Sequence, residues 1–355
     1  MRFPGFTDEW KESTIGNVVK IGNGRDYKHL GKGDIPVFGT GGYMTAVNDY
    51  LYDGESVFIG RKGTIDKPSW YSGKFWAVDT LFYTFNFTSV LSTFLYGIFQ
   101  RINWKLYNEA SGVPSLSKAT IEKIKIKYPS SAEQQKISHF LSLIDERIAT
   151  QNKIIEDLKK LKSAIIDDLY SNVKGNSCNY SDLFTVVSER NSKRLYKKVI
   201  AASQEYGMVE RDSLNLRIQF DEESINTYKI INSGDYVIHL RSFQGGFAFS
   251  RLHGICSPAY IILRPNERVE FSYFENFFTS TKFINSLRLV TYGIRDGRSI
   301  NVEEWLSMKV VLPSNEEQRH IIQTIQSIQN KLSNENYILS GLESQRKYCL
   351  QNMFT

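Results

Sequence analysis

The sequence predicts an α+β fold with two duplicated globular domains joined by two long helices, which pair as an antiparallel coiled coil with pseudo-twofold symmetry. Three observations predict it. An apolar pattern with a period near 3.5 residues runs through residues 133–170, and the same pattern recurs 184 positions later in residues 317–354. The segments before each pattern are rich in β-branched and aromatic residues and are divided by glycine turns, which is typical of short strands.

The two apolar patterns have the alternating four- and three-residue steps of a coiled-coil seam. The first seam consists of Ile137, Leu141, Ile144, Ile148, Ile155, Leu158, Ile165 and Leu169. The second consists of Ile321, Ile325, Ile328, Leu332, Leu339, Leu342 and Met353. Polar residues interrupt both seams in matching slots, Gln151 with Glu335 and Lys162 with Arg346. The coincidence indicates that one helix is a copy of the other.

Each long helix needs a partner for its apolar stripe. A helix of ~38 residues is about 57 Å long, and the chain supplies two of them. We expect them to pack against each other, although each could instead fold back on its own domain. The predicted boundaries are 1–132 for the first globular domain, 133–172 for the first long helix, 173–315 for the second domain and 316–355 for the second helix.

Composition is that of a protein with a substantial core, since 41% of the 355 residues are hydrophobic and 13% aromatic. No apolar run of about 18 residues predicts a membrane span, and no apolar signal segment opens the chain. Three cysteines without metal-ligand spacing indicate buried thiols in a reducing cytoplasm. The net charge of +6, shared evenly between the halves, permits nucleic-acid binding without proving it.

Strands are predicted at residues 18–21, 35–43, 56–60 and 77–85 of the first half, and a helix at residues 88–102. Loops with paired glycines, at residues 22–24 and 31–33, do not complete a phosphate-binding P-loop. Basic and aromatic residues surround them, which indicates contact with bases and phosphates, or alternatively only a solvated loop face. The candidate binding residues are Arg25, Tyr27, Lys28, Thr40, Gly41, Gly42, Tyr43, Arg61 and Lys62.

Asp79 lies in an apolar stretch and is predicted to be a buried carboxylate. Such a group needs a partner. It could hold Arg61 in place or accept a hydrogen bond from a base amino group, and the sequence favours the structural pairing.

The second half follows the same plan with different surface residues. Arg241 falls where Arg61 does, at an offset of 180 positions. The candidate binding residues of this half are Arg190, Lys193, Arg194, Arg241, Ser242, Gln244, Arg295 and Arg298. Because the globular parts diverge while the helices stay similar, the sequence indicates one scaffold with two different recognition surfaces.

In this order, the segments resemble the DNA-specificity subunit of type I restriction-modification systems. The matching stretches are Ile-Pro-Val-Phe-Gly-Thr-Gly-Gly at 35–42, Ile-Gly-Arg-Lys-Gly-Thr at 59–64, Gly-Val-Pro-Ser-Leu-Ser at 112–117, and the Pro…Glu-Gln-Gln-Lys-Ile approach to the first long helix at 129–137. The second half has a weaker counterpart ending in Pro…Glu-Gln-Arg at 313–319, and it lacks the Gly-Thr-Gly-Gly loop.

The resemblance implies that each globular domain reads one half of a bipartite double-stranded DNA target in the major groove, while the coiled coil fixes the spacing of the half-sites. It also implies partners: methyltransferase subunits, expected as two copies, and restriction/translocase subunits. Catalysis would belong to those partners, with S-adenosylmethionine, ATP and Mg²⁺. This chain shows no methyltransferase, Walker or nuclease motif, so we expect no catalytic residue, cofactor or metal in it.

Two other classes of function remain open from the residues. A coiled-coil adaptor that binds only protein would have the same helices but no salt-dependent affinity for DNA. An enzyme built by duplication would need a shared catalytic constellation, whereas the five histidines form no metal-binding spacing.

Overall fold

The computed structural model describes residues 2–203, 206–214, 222–239, 246–292 and 299–354. The chain divides into two compact units, one formed by Met1–Lys153 with Tyr337–Thr355 and the other by Ile154–Asn336. Each long helix therefore contributes one part to each unit. Among the described residues, no helix is long and apolar enough to cross a membrane.

The first unit is built on a six-stranded sheet with the order β2-β7-β5-β6-β3-β4, in which only β3 and β6 are parallel. A separate antiparallel pair joins β1 to β8, and a 3₁₀ turn spans Trp104–Tyr107. The elements are β1 (Lys11–Thr14), α1 (Ile15–Val18), β2 (Lys20–Asn23), β3 (Lys32–Gly39), β4 (Gly42–Val47), β5 (Tyr52–Gly60), β6 (Ser69–Ala77), β7 (Leu81–Phe85), α2 (Ser92–Arg101), α3 (Lys118–Lys123), β8 (Lys125–Tyr128) and the long helix α4 (Ser131–Ser171).

The second unit has a smaller sheet with the order β10-β17-β14-β15, and antiparallel pairs β11–β12, β13–β16, β18–β19 and β9–β20. Its 3₁₀ turns span Tyr180–Asp182, Arg211–Leu214, Glu222–Thr227 and Leu287–Leu289. The elements are β9 (Asn176–Asn179), β10 (Phe184–Val187), β11 (Ile200–Ser203), β12 (Gly207–Glu210), β13 (Lys229–Ile231), β14 (Tyr236–Ile238), β15 (Phe247–Phe249), β16 (Gly254–Cys256), β17 (Ile261–Pro265), α5 (Tyr273–Phe277), α6 (Thr281–Ser286), β18 (Thr291–Tyr292), β19 (Ser299–Ile300), α7 (Val302–Ser307), β20 (Lys309–Leu312) and the long helix α8 (Asn315–Asn352).

Several predicted bounds are wrong in detail. Val18 ends the short helix α1 instead of starting a strand, and β2 continues through Asn23 rather than breaking at the glycines. The stretch predicted as strand at 77–85 is divided by a turn at residues 78–80. Apolar side chains on both sides of that turn made it look continuous, because the period-2 pattern cannot show where a strand reverses.

The cores show how the long helices hold their units. In the first unit, the seam residues Ile137, Leu141 and Ile144 pack in one cluster with α2 and with Met353 and Phe354. In the second, Ile321 and Ile325 pack with an aromatic core in which Tyr180 stacks on Trp305 at a centroid distance of 4.3 Å. Burial raises the pKa of the Tyr180 hydroxyl, so it stays neutral. Both expectations for the helices are therefore partly met, since each packs on a domain as well as on its partner.

The burial of the long helices follows the apolar pattern of the sequence. Every seam position of both helices is buried or half-buried. In the first unit, Arg346 forms an ion pair with Asp145, with Nη2 at 3.1 Å from Oδ2. In the second, Lys162 Nζ donates to Gln329 Oε1 at 2.7 Å. In each unit, one polar interruption of the seam therefore has a partner on the other long helix.

The cysteines are free thiols. Cys256 and Cys349 are buried and Cys178 is half-buried. Burial raises the pKa of Cys256 to about 12, because the apolar surroundings disfavour its thiolate. The Cys256 thiol is therefore protonated at neutral pH.

The same glutamine network fixes the start of both long helices. Gln134 is buried, accepts a hydrogen bond from Leu91 N–H at 2.8 Å, and donates to the carbonyls of Ser89 and Pro129, both at 3.0 Å. Its counterpart Gln318 accepts from Glu270 N–H at 2.8 Å and donates to the carbonyls of Arg268 and Pro313 at 2.9 and 3.1 Å. Each glutamine thus ties a loop of its globular domain to the first turn of a helix. We call this arrangement the glutamine joint.

Replacing Gln134 by alanine should lower the free energy of unfolding by about 2–4 kcal/mol, since one buried N–H and two carbonyls lose their partners. Urea unfolding followed by circular dichroism would measure the loss. Gln135→Ala is the matched control, because the neighbouring Gln135 is exposed, and it should change stability by less than about 0.5 kcal/mol. Equal effects of the two changes would show that the joint is not stabilising.

Candidate nucleic-acid interface

The turn at residues 78–80 connects β6 to β7, and it organises one edge of the first unit. Leu81 N–H closes the turn on the carbonyl of Val78 at 2.9 Å. Asp79, at its tip, is exposed. The prediction of a buried Asp79 carboxylate is therefore wrong. The residue occupies a turn between two strands, where a polar side chain reaches solvent.

Arg25 is held against this turn by its backbone. Its N–H donates to the carbonyl of Ala77 at 2.8 Å, and its carbonyl accepts from Trp76 Nε1 at 2.8 Å. The preceding Gly24 donates to Leu81 O at 3.0 Å. A Cβ on Gly24 would lie 1.9 Å from the carbonyl oxygen of Val78, so only glycine allows this approach. The Arg25 side chain itself is exposed.

Arg61 and Lys62 approach the turn from the other side, directly after β5. Their N–H groups both donate to the carbonyl of Thr80, at 2.7 and 3.3 Å. The Arg61 guanidinium lies 5.9 Å from the Phe82 ring centroid, and its Nη1 reaches the backbone carbonyl of Asp79 at 3.4 Å. Gly63 N–H then donates to Pro114 O at 2.8 Å, which brings in the predicted Gly-Val-Pro-Ser stretch.

The hairpin between β3 and β4 completes the edge. Val78 N–H donates to Phe38 O at 3.0 Å, and Thr40 lies against Gly60, where an added Cβ would be 3.2 Å from the Thr40 methyl carbon. Gly42 has a φ of +104°, which favours glycine. Tyr43 is 65% exposed. We call the surface formed by Arg25, Thr40, Gly41, Gly42, Tyr43, Arg61, Lys62 and residues 78–80 the arginine edge.

The cations of the arginine edge are not held in ion pairs. Arg25, Arg61 and Lys62 are all exposed, and within the described part of the chain none forms an ion pair with a carboxylate. Since the backbone amides of all three are engaged on the turn, the side chains are positioned while their charged ends stay available. Such a surface suits phosphates and guanine edges, which accept hydrogen bonds from arginine and lysine.

Two predicted residues of the first half have other surroundings. Tyr27 is half-buried and packs against the cluster of Val37, Val47, Trp76 and Val78, so its ring is partly a packing element. Lys28 is exposed, and its backbone N–H donates to Asp26 Oδ1 at 3.4 Å.

In the second unit, Arg190, Lys193 and Arg194 are exposed on one loop. The loop is shaped by the buried Asn191, whose side chain donates to Tyr196 O at 2.7 Å and accepts from Tyr196 N–H at 3.1 Å. Asn191 thereby makes the loop rigid, a role the sequence analysis missed because a single asparagine gives no periodic signal. The other predictions for this half, Arg241, Ser242, Gln244, Arg295 and Arg298, lie outside the described residues.

In the part of the chain that the structure describes, no group of three or more His, Cys, Asp or Glu side chains is arranged to hold a metal ion.

Comparisons with known proteins agree with this geometry. Residues 7–160, which include the whole arginine edge, match the family model of the type I restriction modification DNA specificity domain. The first globular part of the chain is therefore similar to the domains of this family. The resemblance found in the sequence is thereby confirmed.

A curated relative and two solved structures extend the likeness over most of the chain. The type I restriction enzyme MjaVIII specificity subunit of Methanocaldococcus jannaschii is 25% identical over 339 residues, which cover 86% of this chain and 77% of the relative. The S subunit of the type I restriction-modification system of M. genitalium has the same fold, with a TM-score of 0.58 and 13% identity over 99% of this chain and 97% of that one. A chain from a type I restriction-modification complex has a TM-score of 0.62 and 12% identity, with 98% of each chain covered.

Replacing Gly24 by alanine should lower the free energy of unfolding by about 3 kcal/mol, because the new methyl group collides with the backbone of residue 78. Chemical unfolding would measure this change in the free energy of unfolding. Gly41→Ala is the matched control on the same edge: a Cβ there meets nothing within 4 Å, so stability should change by less than about 0.5 kcal/mol. A tolerated Gly24→Ala would contradict the close approach of β2 to the turn.

Proposed function

We propose that the chain is the DNA-specificity subunit of a type I restriction-modification complex and that the arginine edge contacts the DNA target of its first domain. One observation carries the proposal: three exposed cations without carboxylate partners converge on one turn, in a domain whose family is described as a DNA specificity domain. Arg61 would contact a guanine edge, since arginine pairs with O6 and N7, and Lys62 a phosphate.

The second domain would read the other half of a bipartite target. Its loop with Arg190, Lys193 and Arg194 is exposed and basic, and the residues outside the described ranges, Arg241 among them, are candidates for base contacts. The antiparallel α4 and α8 would set the spacing between the half-sites, because a helix is stiff and its length per residue is fixed.

Catalysis would belong to partner subunits. We propose that methyltransferase subunits, in two copies, and restriction/translocase subunits assemble on this chain, with S-adenosylmethionine, ATP and Mg²⁺ bound by them. The name of the curated relative, a specificity subunit of a restriction enzyme, supports this division of labour.

A coiled-coil adaptor that binds only protein is the second candidate. The exposed apolar residues Leu143, Ile154, Leu161 and Tyr348 on the long helices favour a protein partner there. The adaptor does not account for the unpaired cations of the arginine edge, so DNA specificity explains more of the described surface.

Binding to a random-sequence duplex should weaken with salt, because phosphate contacts release counterions. Lys62→Ala should reduce the slope of log affinity against log salt by about 1. Arg61→Ala should cost about 1–3 kcal/mol on a duplex that the wild-type chain selects from a random library. Lys11→Ala, an exposed lysine on β1, is the control. Affinity independent of salt in the wild type would favour the adaptor.

Inserting one heptad into both helices, after Lys153 and after Asn336, should increase the spacing of the half-sites by about three base pairs. Seven helical residues add about 10.5 Å, and a base pair occupies ~3.4 Å. Sequencing duplexes selected from a random library would show the change. An insertion in α4 alone breaks the match of the two seams and should lose selection of a bipartite site altogether. Unchanged spacing after the double insertion would show that α4 and α8 do not set the distance between the half-sites.

A further inference from the structure

Asp79 is an acidic side chain at the centre of a cationic surface. It is at the tip of the turn that the backbones of Arg25, Arg61 and Lys62 all approach. Its carboxylate has no ion-pair or hydrogen-bond partner among the described residues, since Arg61 reaches the backbone carbonyl of Asp79 and not the carboxylate. The structural pairing with Arg61 that the sequence favoured is therefore not formed through this group.

A free carboxylate at this place has a consequence for DNA. Phosphates and the acceptor atoms of bases repel the carboxylate. A surface that bound only the DNA backbone would therefore have a higher affinity without it. In the major groove it can accept hydrogen bonds only from the exocyclic amino groups of cytosine N4 and adenine N6. Adenine presents its N7 acceptor beside N6, whereas cytosine presents the donor without a neighbouring acceptor, which favours cytosine as the partner of a carboxylate.

We propose that Asp79 is a specificity-determining residue that accepts a hydrogen bond from the N4 amino group of a cytosine in the DNA target. Arg61 follows β5 and lies beside this turn, with its Nη1 at 3.4 Å from the carbonyl of Asp79, and it carries the complementary donors for guanine O6 and N7. The two side chains therefore read a G·C base pair, or two neighbouring ones, with a donor and an acceptor placed next to each other. The inference rests on the proposed function, because it names the DNA base that one residue of the arginine edge contacts.

The test is selection of duplexes from a random library by the full chain, followed by sequencing, for the wild type, Asp79→Ala, Asp79→Asn and the control Asp53→Ala. Asp53 is an exposed aspartate at the opposite end of β5 from Arg61. The wild-type motif should contain a G·C position at which Asp79→Ala loses about 5- to 10-fold of its discrimination, with the other positions kept. Asp79→Asn should shift that position towards adenine, because an amide pairs with adenine N6 and N7.

Binding to random-sequence duplex supplies a second readout. Removal of the carboxylate should strengthen this binding a few-fold in both Asp79 variants, because the negative charge at the DNA surface is lost whatever the sequence, and Asp53→Ala should leave it unchanged. Circular dichroism establishes that each variant is folded. A selected motif that is identical in wild type and Asp79→Ala overturns the assignment of Asp79 while leaving the proposed function intact. Failure of the wild type to select any motif overturns both.

Discussion

The apolar stripe along α4 and α8 is the constraint on which the rest of the chain depends. Neither helix can leave its seam in water, and within each unit parts of both helices bury their apolar residues together with a domain core. The seam also tolerates polar positions because they are partnered, Arg346 with Asp145 and Lys162 with Gln329. Burial of a charged side chain is acceptable only with such a partner, and here the partners also define the register.

Much of this scaffold could be predicted from the sequence, for a definite physical reason. A coiled-coil seam is a one-dimensional pattern, and a copied segment can be detected by alignment of the chain with itself. The glutamine joint could not be predicted, although Gln134 and Gln318 stand in matching positions. Its partners, the backbone of residues 89 and 91 and of residues 268 and 270, are far away in the chain. The short polar motif indicates where the helix begins, but it does not indicate the hydrogen-bond partners of the glutamine.

The candidate site was predictable in its composition and only partly in its geometry. Glycine loops next to arginines indicated Arg25, Arg61 and Lys62, and the structure brings these three together. The turn that unites them was missed, because its neighbours Val78 and Leu81 are apolar and concealed the reversal of the strand. Tyr27 was selected for being aromatic, yet a ring beside a sheet packs against the core as readily as it faces a ligand.

The contacts that build the arginine edge are mostly between backbone atoms. The backbone N–H of Arg25 donates to the carbonyl of residue 77, and those of Arg61 and Lys62 donate to the carbonyl of residue 80. Only the bond from Arg61 Nη1 to the carbonyl of residue 79 uses a side chain. The shape of the edge therefore depends little on which side chains project from it. Different side chains can therefore be presented on the same backbone frame.

The glutamine joint has an evolutionary consequence. Each attachment uses one glutamine side chain and only main-chain partners, so it does not depend on the side chains of the loop that it binds. A different globular segment that offers a free N–H and a free carbonyl at the same loop could form the same hydrogen bonds. The sequences of the globular segments can therefore change while their attachment to the two long helices stays the same.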